Sequence, residues 1–128
     1  MAQLDLTVAS KERHQRFVQR VVASGIVWGL KDSEGWVTSS STNDETEDRP
    51  IMPFWSDRAY AKQCAKDEWS VYEPTEIPLD LFLEHWLPGM EGDGYLVGTN
   101  WNAQLSGHEV EPLQLLEEIN ACKAGAGQ

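Results

Sequence analysis

The sequence predicts an α+β fold: one compact domain, spanning 1–128, in which a mixed β-sheet is packed by about four helices. Three observations lead there. Helical and extended patterns alternate along the chain, in the order helix, hairpin, strand, helix, strand, helix, strand, helix. The stretch VWGLKDSEGW has the turn chemistry of an antiparallel hairpin, whereas strands separated by helices in the second half call for partly parallel pairing. Finally, 128 residues with 41% hydrophobic and 24% charged side chains suffice for one core, and no internal repeat divides them.

Each element follows from its residues. Residues 1–9 are expected to be loosely ordered. Ser10 is placed to cap a helix running to about Ala23, with His14, Phe17, Val18, Val21 and Val22 on its inner face. Gly25 ends it. Ile26 to Leu30 and Trp36 to Thr38 form the hairpin around Asp32–Gly35, and 39–50 reads as a mobile acidic loop. Ile51 to Trp55 is a strand that Pro53 should either place at an edge or keep brief. Ser56 is then read as the N-cap of a helix presenting Tyr60, Ala61, Cys64, Ala65 and Trp69 to the core. An extended segment leads to Ile77-Pro78. Leu79, Phe82, Leu83, Trp86 and Leu87 have clear helical spacing, with Pro88-Gly89 expected to stop the helix. Tyr95 to Trp101 is a strand in which Gly98 implies a bulge or a close approach. Pro112 opens a last helix with Leu113, Leu116 and Ile119 inward, and 123–128 is expected to fray.

The charge is unevenly spread. The net charge is −11, yet Lys11, Arg13, Arg16 and Arg20 make the first helix basic. Between Lys66 and Lys123 no Lys or Arg occurs, while Asp67, Glu68, Glu73, Glu76, Asp80, Glu84, Glu91, Asp93, Glu109, Glu111, Glu117 and Glu118 do. Such a stretch creates a negative field that suits a basic protein partner, a bound cation or good solubility alone, and disfavours nucleic acid, whose phosphates need Lys and Arg. No run approaches the roughly 20 apolar residues of a membrane span, and the N-terminus lacks the basic start and apolar core of a secretory signal. Cys64 and Cys122 are expected as free thiols in a reducing, cytoplasmic setting.

No motif for chemistry stands out. His14, His85 and His108 lie on separate elements without paired metal spacing, and Cys64 is expected to face the core, where thiols are inert. Asp80 and Glu84 at i, i+4 read as a solvated helix face rather than an acid–base pair. The sequence therefore assigns no catalytic residue, no metal ligand and no cofactor. What it offers is a surface. Trp55 precedes the second helix and Trp101 ends a strand beside Asn100. If those strand ends share one edge, Trp55, Ser56, Arg58, Asn100 and Trp101 would line a shallow ligand- or partner-binding site.

The segments PFWSDRAYAKQCAKDEW, EPTEIPLDLFLEHWLPGM and DGYLVGTNW, with VWGLKDSEGW upstream, resemble the small bacterial proteins grouped as domain-of-unknown-function family 2750 over roughly Phe17 to Ile119. The resemblance implies a compact bacterial cytosolic domain and no particular activity. A looser similarity, at Phe54, Ser56, the 79–87 helix and Gly94 to Asn100, is to the N-terminal domain of the serine-sensitivity-enhancing proteins, which implies an interaction module. Three readings follow: a non-enzymatic protein-interaction module with an acidic face, inhibitory or immunity-like; a structural homo-oligomer pairing the basic first helix with an acidic surface; and a small-molecule-binding protein or enzyme at the Trp55/Trp101 edge.

Overall fold

The structure, a computed structural model, describes residues 2–40, 49–102 and 107–126. Among these residues, four helices pack with seven short strands: α1 (Ala2–Ser24), β1 (Ile26–Asp32), β2 (Gly35–Trp36), β3 (Ser39–Ser40), β4 (Pro50–Phe54), α2 (Arg58–Cys64), β5 (Glu73–Pro78), α3 (79–93), β6 (Leu96–Thr99), β7 (His108–Val110) and α4 (Pro112–Ala126). This is the α+β class expected, with the strands shared between two sheets. The first sheet has the order β2-β1-β5 and is antiparallel. The second has the order β3-β4-β6-β7, with β4 and β6 parallel and the outer pairs antiparallel. A bridge joins them: the N–H of Trp28 donates to the Trp55 carbonyl at 2.8 Å, and the N–H of Trp55 to the Trp28 carbonyl at 2.7 Å.

Side chains alternate across a strand, so the sheets feed two cores. On one face, Val27, Phe54, Ile77 and Val97 pack with Phe17 and Val21 of α1, Phe82 and Leu87 of α3, and Leu115 and Ile119 of α4. On the other, Leu30, Ile51, Trp55, Leu96 and Trp101 pack against Ala61 and Cys64 of α2. Each fully buried large side chain stabilises the fold by about 2 kcal/mol relative to exposure.

Several elements depart from the sequence reading, each for a local reason. α1 starts at Ala2 instead of at Ser10. Of the expected acidic loop, 41–48 lies outside the described residues, while Arg49 is firmly held. Its guanidinium donates to the Gly94 carbonyl at 3.0 Å, to the Tyr95 carbonyl at 3.1 Å and to both carboxylate oxygens of Glu111 at 2.6 and 2.9 Å. That fork ties the start of β4 to the start of β6 and to the entry of α4, and the guanidinium holds the Glu111 carboxyl below the usual carboxylate range. β4 is brief, five residues, but interior rather than an edge. It tolerates Pro53 because two-residue β3 pairs only with Pro50 and Ile51. α2 ends at Cys64, and Trp69 belongs to a separate turn of tight helix (Asp67–Trp69) entered through Asp67 at φ 53°.

α3 runs straight through Pro88-Gly89. Its middle, Phe82–Trp86, is a wide π-helical turn, and the helix resumes over Leu87–Asp93 until Gly94, at φ 79°, closes it in the left-handed conformation. A proline ordinarily breaks a helix because it lacks an N–H and crowds the carbonyl one turn back. The widened turn directly before Pro88 relieves both. In α4, Ile119 is fully buried and Leu116 packs against the core as expected, but Leu113 is 45% exposed and Leu115 takes the inner position instead.

Candidate functional site

Parallel pairing of β4 with β6, Phe54 opposite Thr99, brings the carboxyl ends of the two strands side by side. Trp55, Ser56, Asn100 and Trp101 therefore meet, as the strand-end reading requires. Their exposure differs from that of a shallow surface. Trp55 has no exposed area, Trp101 has 4%, Ser56 5% and Asn100 1%. Both indoles lie inside the second core, while Arg58 stands exposed at the start of α2.

Asn100 is the hub. At φ 47° it occupies the left-handed region, which Asn tolerates better than most residues. There its side chain reaches three partners. Its Oδ1 accepts from the Ser56 N–H at 2.8 Å. Its Nδ2 donates to the Ser56 hydroxyl at 3.0 Å and to the Arg13 carbonyl at 3.2 Å. Its own carbonyl accepts from Arg13 Nε at 3.0 Å, and its N–H donates to the Phe54 carbonyl at 2.9 Å. Ser56 is thus not the N-cap of α2. Its hydroxyl accepts from Asn100 and donates to Asp57 at 2.6 Å, while Asp57 takes the cap position without a side-chain cap bond. The Trp101 carbonyl accepts from Trp55 Nε1 at 3.1 Å and from the Cys64 thiol at 3.5 Å. Burial pushes the Cys64 thiol up to about 11, as expected of an enclosed cysteine.

A second polar group lies beside the first. The His14 side chain of α1 spans from the Thr99 hydroxyl, 2.8 Å from Nδ1, to Glu118 of α4, 2.6 Å from Nε2. An ionised carboxylate only accepts, so Nε2 carries the proton in that bond, and in the neutral ring Nδ1 accepts from Thr99. The ring of His108, the first residue of β7, sits 4.2 Å from that of His14, tilted by 38°. Burial foremost, and then His14, hold the His108 imidazole below its ordinary value. The sequence places these two histidines on separate elements; their meeting needs β7 to return beside β6, which no local pattern announces. His85, the third, is exposed on the π turn of α3. Among the described residues, no three His, Cys, Asp or Glu side chains are grouped to hold a metal ion.

Thr99, His14 and Glu118 have the connectivity of a nucleophile, a base and an orienting acid. Thr99, however, has no exposed surface, so no substrate reaches its hydroxyl in this conformation. Among the described residues, no fully buried side-chain polar atom lacks a hydrogen-bond partner. The arrangement binds α1, the strand ends and α4 to one another.

Fold and site define a small α+β domain whose parallel strand ends are sealed by a saturated polar network under its first helix. Residues 14–119 match the family described as a protein of unknown function, DUF2750, and the chain belongs to that family. Comparison with curated proteins and with solved structures gave no match. No described helix is long and apolar enough to cross a membrane.

Proposed function

We propose that this chain is a small acidic protein-interaction module, non-enzymatic and of an inhibitory or immunity-like kind, working in the bacterial cytoplasm on a basic protein partner. The observation that carries this reading is the surface made by the base-free interval. Glu73 and Glu76 of β5, Asp80 and Glu84 of α3, Asp93 and Glu117 are all exposed, and the interval supplies no cation to offset them. Lys123 is the nearest basic group to Asp80, at 4.0 Å, a separation that contributes little between solvated side chains. Enclosure of Trp55, Ser56, Asn100 and Trp101 supports a structural use of the strand ends over a ligand site there.

The test is capture on the immobilised chain from a lysate of its source cells, run at about 50 and about 500 mM salt, where screening lengths differ severalfold. A parallel column carries Glu73→Gln, Glu76→Gln, Asp80→Asn and Glu84→Gln together. The expected result is a basic protein retained at low salt, released at high salt and absent from the variant column. Retention indifferent to both salt and variant would refute the acidic-face reading, as would an empty wild-type column. Recovery of the chain itself would make the partner a second copy, a result that mass in solution would confirm.

A further inference from the structure

We propose that His14, His108 and Glu118 form an acid-sensitive latch that keeps Trp101 covered at neutral pH and releases the start of β7 when a second proton arrives. The geometry is that of two imidazoles sharing one carboxylate. Glu118 touches His14 at 2.6 Å, and the rings of His14 and His108 lie 4.2 Å apart. One imidazolium is compensated by Glu118. A second would place like charges against each other, ring to ring, in a partly buried site.

Every packed element contributes to this balance. α1 supplies His14 and also Lys11, whose charge opposes protonation of His108. β7 supplies Glu109 and α4 supplies Glu118, both of which favour it. Burial and the neighbouring His14 outweigh the acids, so His108 binds a proton less readily in the closed form than in water. The closed form is therefore fully favoured above the ordinary imidazole value of about 6.5. It loses that advantage as pH falls from there through the depressed value of His108.

What opens is set by the weakest attachment. β7 is a three-residue edge strand, paired among the described residues with β6 alone. Its first residue also covers Trp101: the Trp101 indole N–H donates to the His108 carbonyl at 3.2 Å. Gly107 lies so close to that ring that an added Cβ would be 2.8 Å from it. Displacing His108 strips both covers from an indole that belongs to the second core. α1 stays in place, because Phe17 and Val21 are fully buried and Arg13 holds Asn100.

Hydrogen exchange at the Trp101 indole N–H, read by NMR and corrected for the intrinsic pH dependence, tests this. One linked proton gives at most about tenfold per pH unit. Protection is expected to fall by up to about tenfold between about pH 7.5 and about pH 5.5, while the indole of Trp55, buried and bonded to the Trp101 carbonyl, keeps its own. His108→Gln retains the backbone carbonyl that accepts the indole bond and is expected to abolish the pH response; His85→Gln leaves it intact. Glu118→Gln removes the shared counter-charge and is expected to move the opening to higher pH. The proposal is overturned if Trp101 protection is flat across the range, if His108→Gln shows the same fall, or if all indoles lose protection together.

Discussion

Replacing Asn100 tests whether the polar hub holds the strand ends. Asn100→Ala removes three side-chain hydrogen bonds, to the Ser56 N–H, the Ser56 hydroxyl and the Arg13 carbonyl. At roughly 1 kcal/mol net each they contribute about 3 kcal/mol, and the stranded Ser56 N–H keeps the loss from being smaller. Alanine at φ 47° costs roughly another 1 kcal/mol that asparagine partly avoids. The total is about 4 kcal/mol. Asn100→Gly loses the same bonds but accepts the left-handed backbone, so it should cost about 3 kcal/mol. Glycine is thus expected to be the milder substitution, the reverse of the order in a helix or strand. Urea unfolding followed by circular dichroism reads this directly. With a slope of about 1.5 kcal/mol/M, the midpoint should drop by roughly 2.7 M for alanine and roughly 2 M for glycine. A loss below about 1 kcal/mol for alanine, or a glycine variant weaker than the alanine one, would show that packing rather than hydrogen bonding fixes this corner.

Two further outcomes follow from the second core. Gly98→Ala would set a Cβ 2.6 Å from the Trp101 ring in a fully packed region, so a loss of about 2 kcal/mol is expected, measured as a fall in melting temperature. An unchanged melting temperature would mean the ring can retreat. Cys64, fully buried and with its thiol raised to about 11, should resist a thiol reagent near pH 8 in the folded protein, whereas half-buried Cys122 reacts. Titration should give one fast equivalent in buffer and two in denaturant; two fast equivalents in buffer would contradict the burial.

The sequence made the local patterns legible and the long-range ones not. The inner face of α1 shows at helical spacing, and His14, Phe17, Val18 and Val21 are buried accordingly. Gly98 is a close approach, as a glycine inside a strand implies. Ser56 misleads because its local environment is that of a cap, while its actual partner, Asn100, lies 44 residues away in the chain. Pro88 misleads because the usual penalty for a helical proline presumes an α-turn before it, and here that turn is π. The convergence of Trp55, Ser56, Asn100 and Trp101 rests on the parallel pairing that alternating elements suggest. Whether the rings face water or core depends on α2 lying over them, and no residue in that helix encodes its placement by itself. His14, His108 and Glu118 come from three elements and carry no spacing signal at all.

β5 closes one border of the first sheet with the sequence EPTEIP, in which exposed Glu73 and Glu76 alternate with Pro74 and Pro78. Two of its six residues have no N–H to offer, and two carry negative charge, so a free strand from another molecule finds an incomplete and repelling template. Growth of this sheet by strand addition, the common route to self-templated aggregation, is thereby discouraged at the border where the ladder is longest. Assembly of this protein with itself or with a partner is thereby directed away from the free edge of β5.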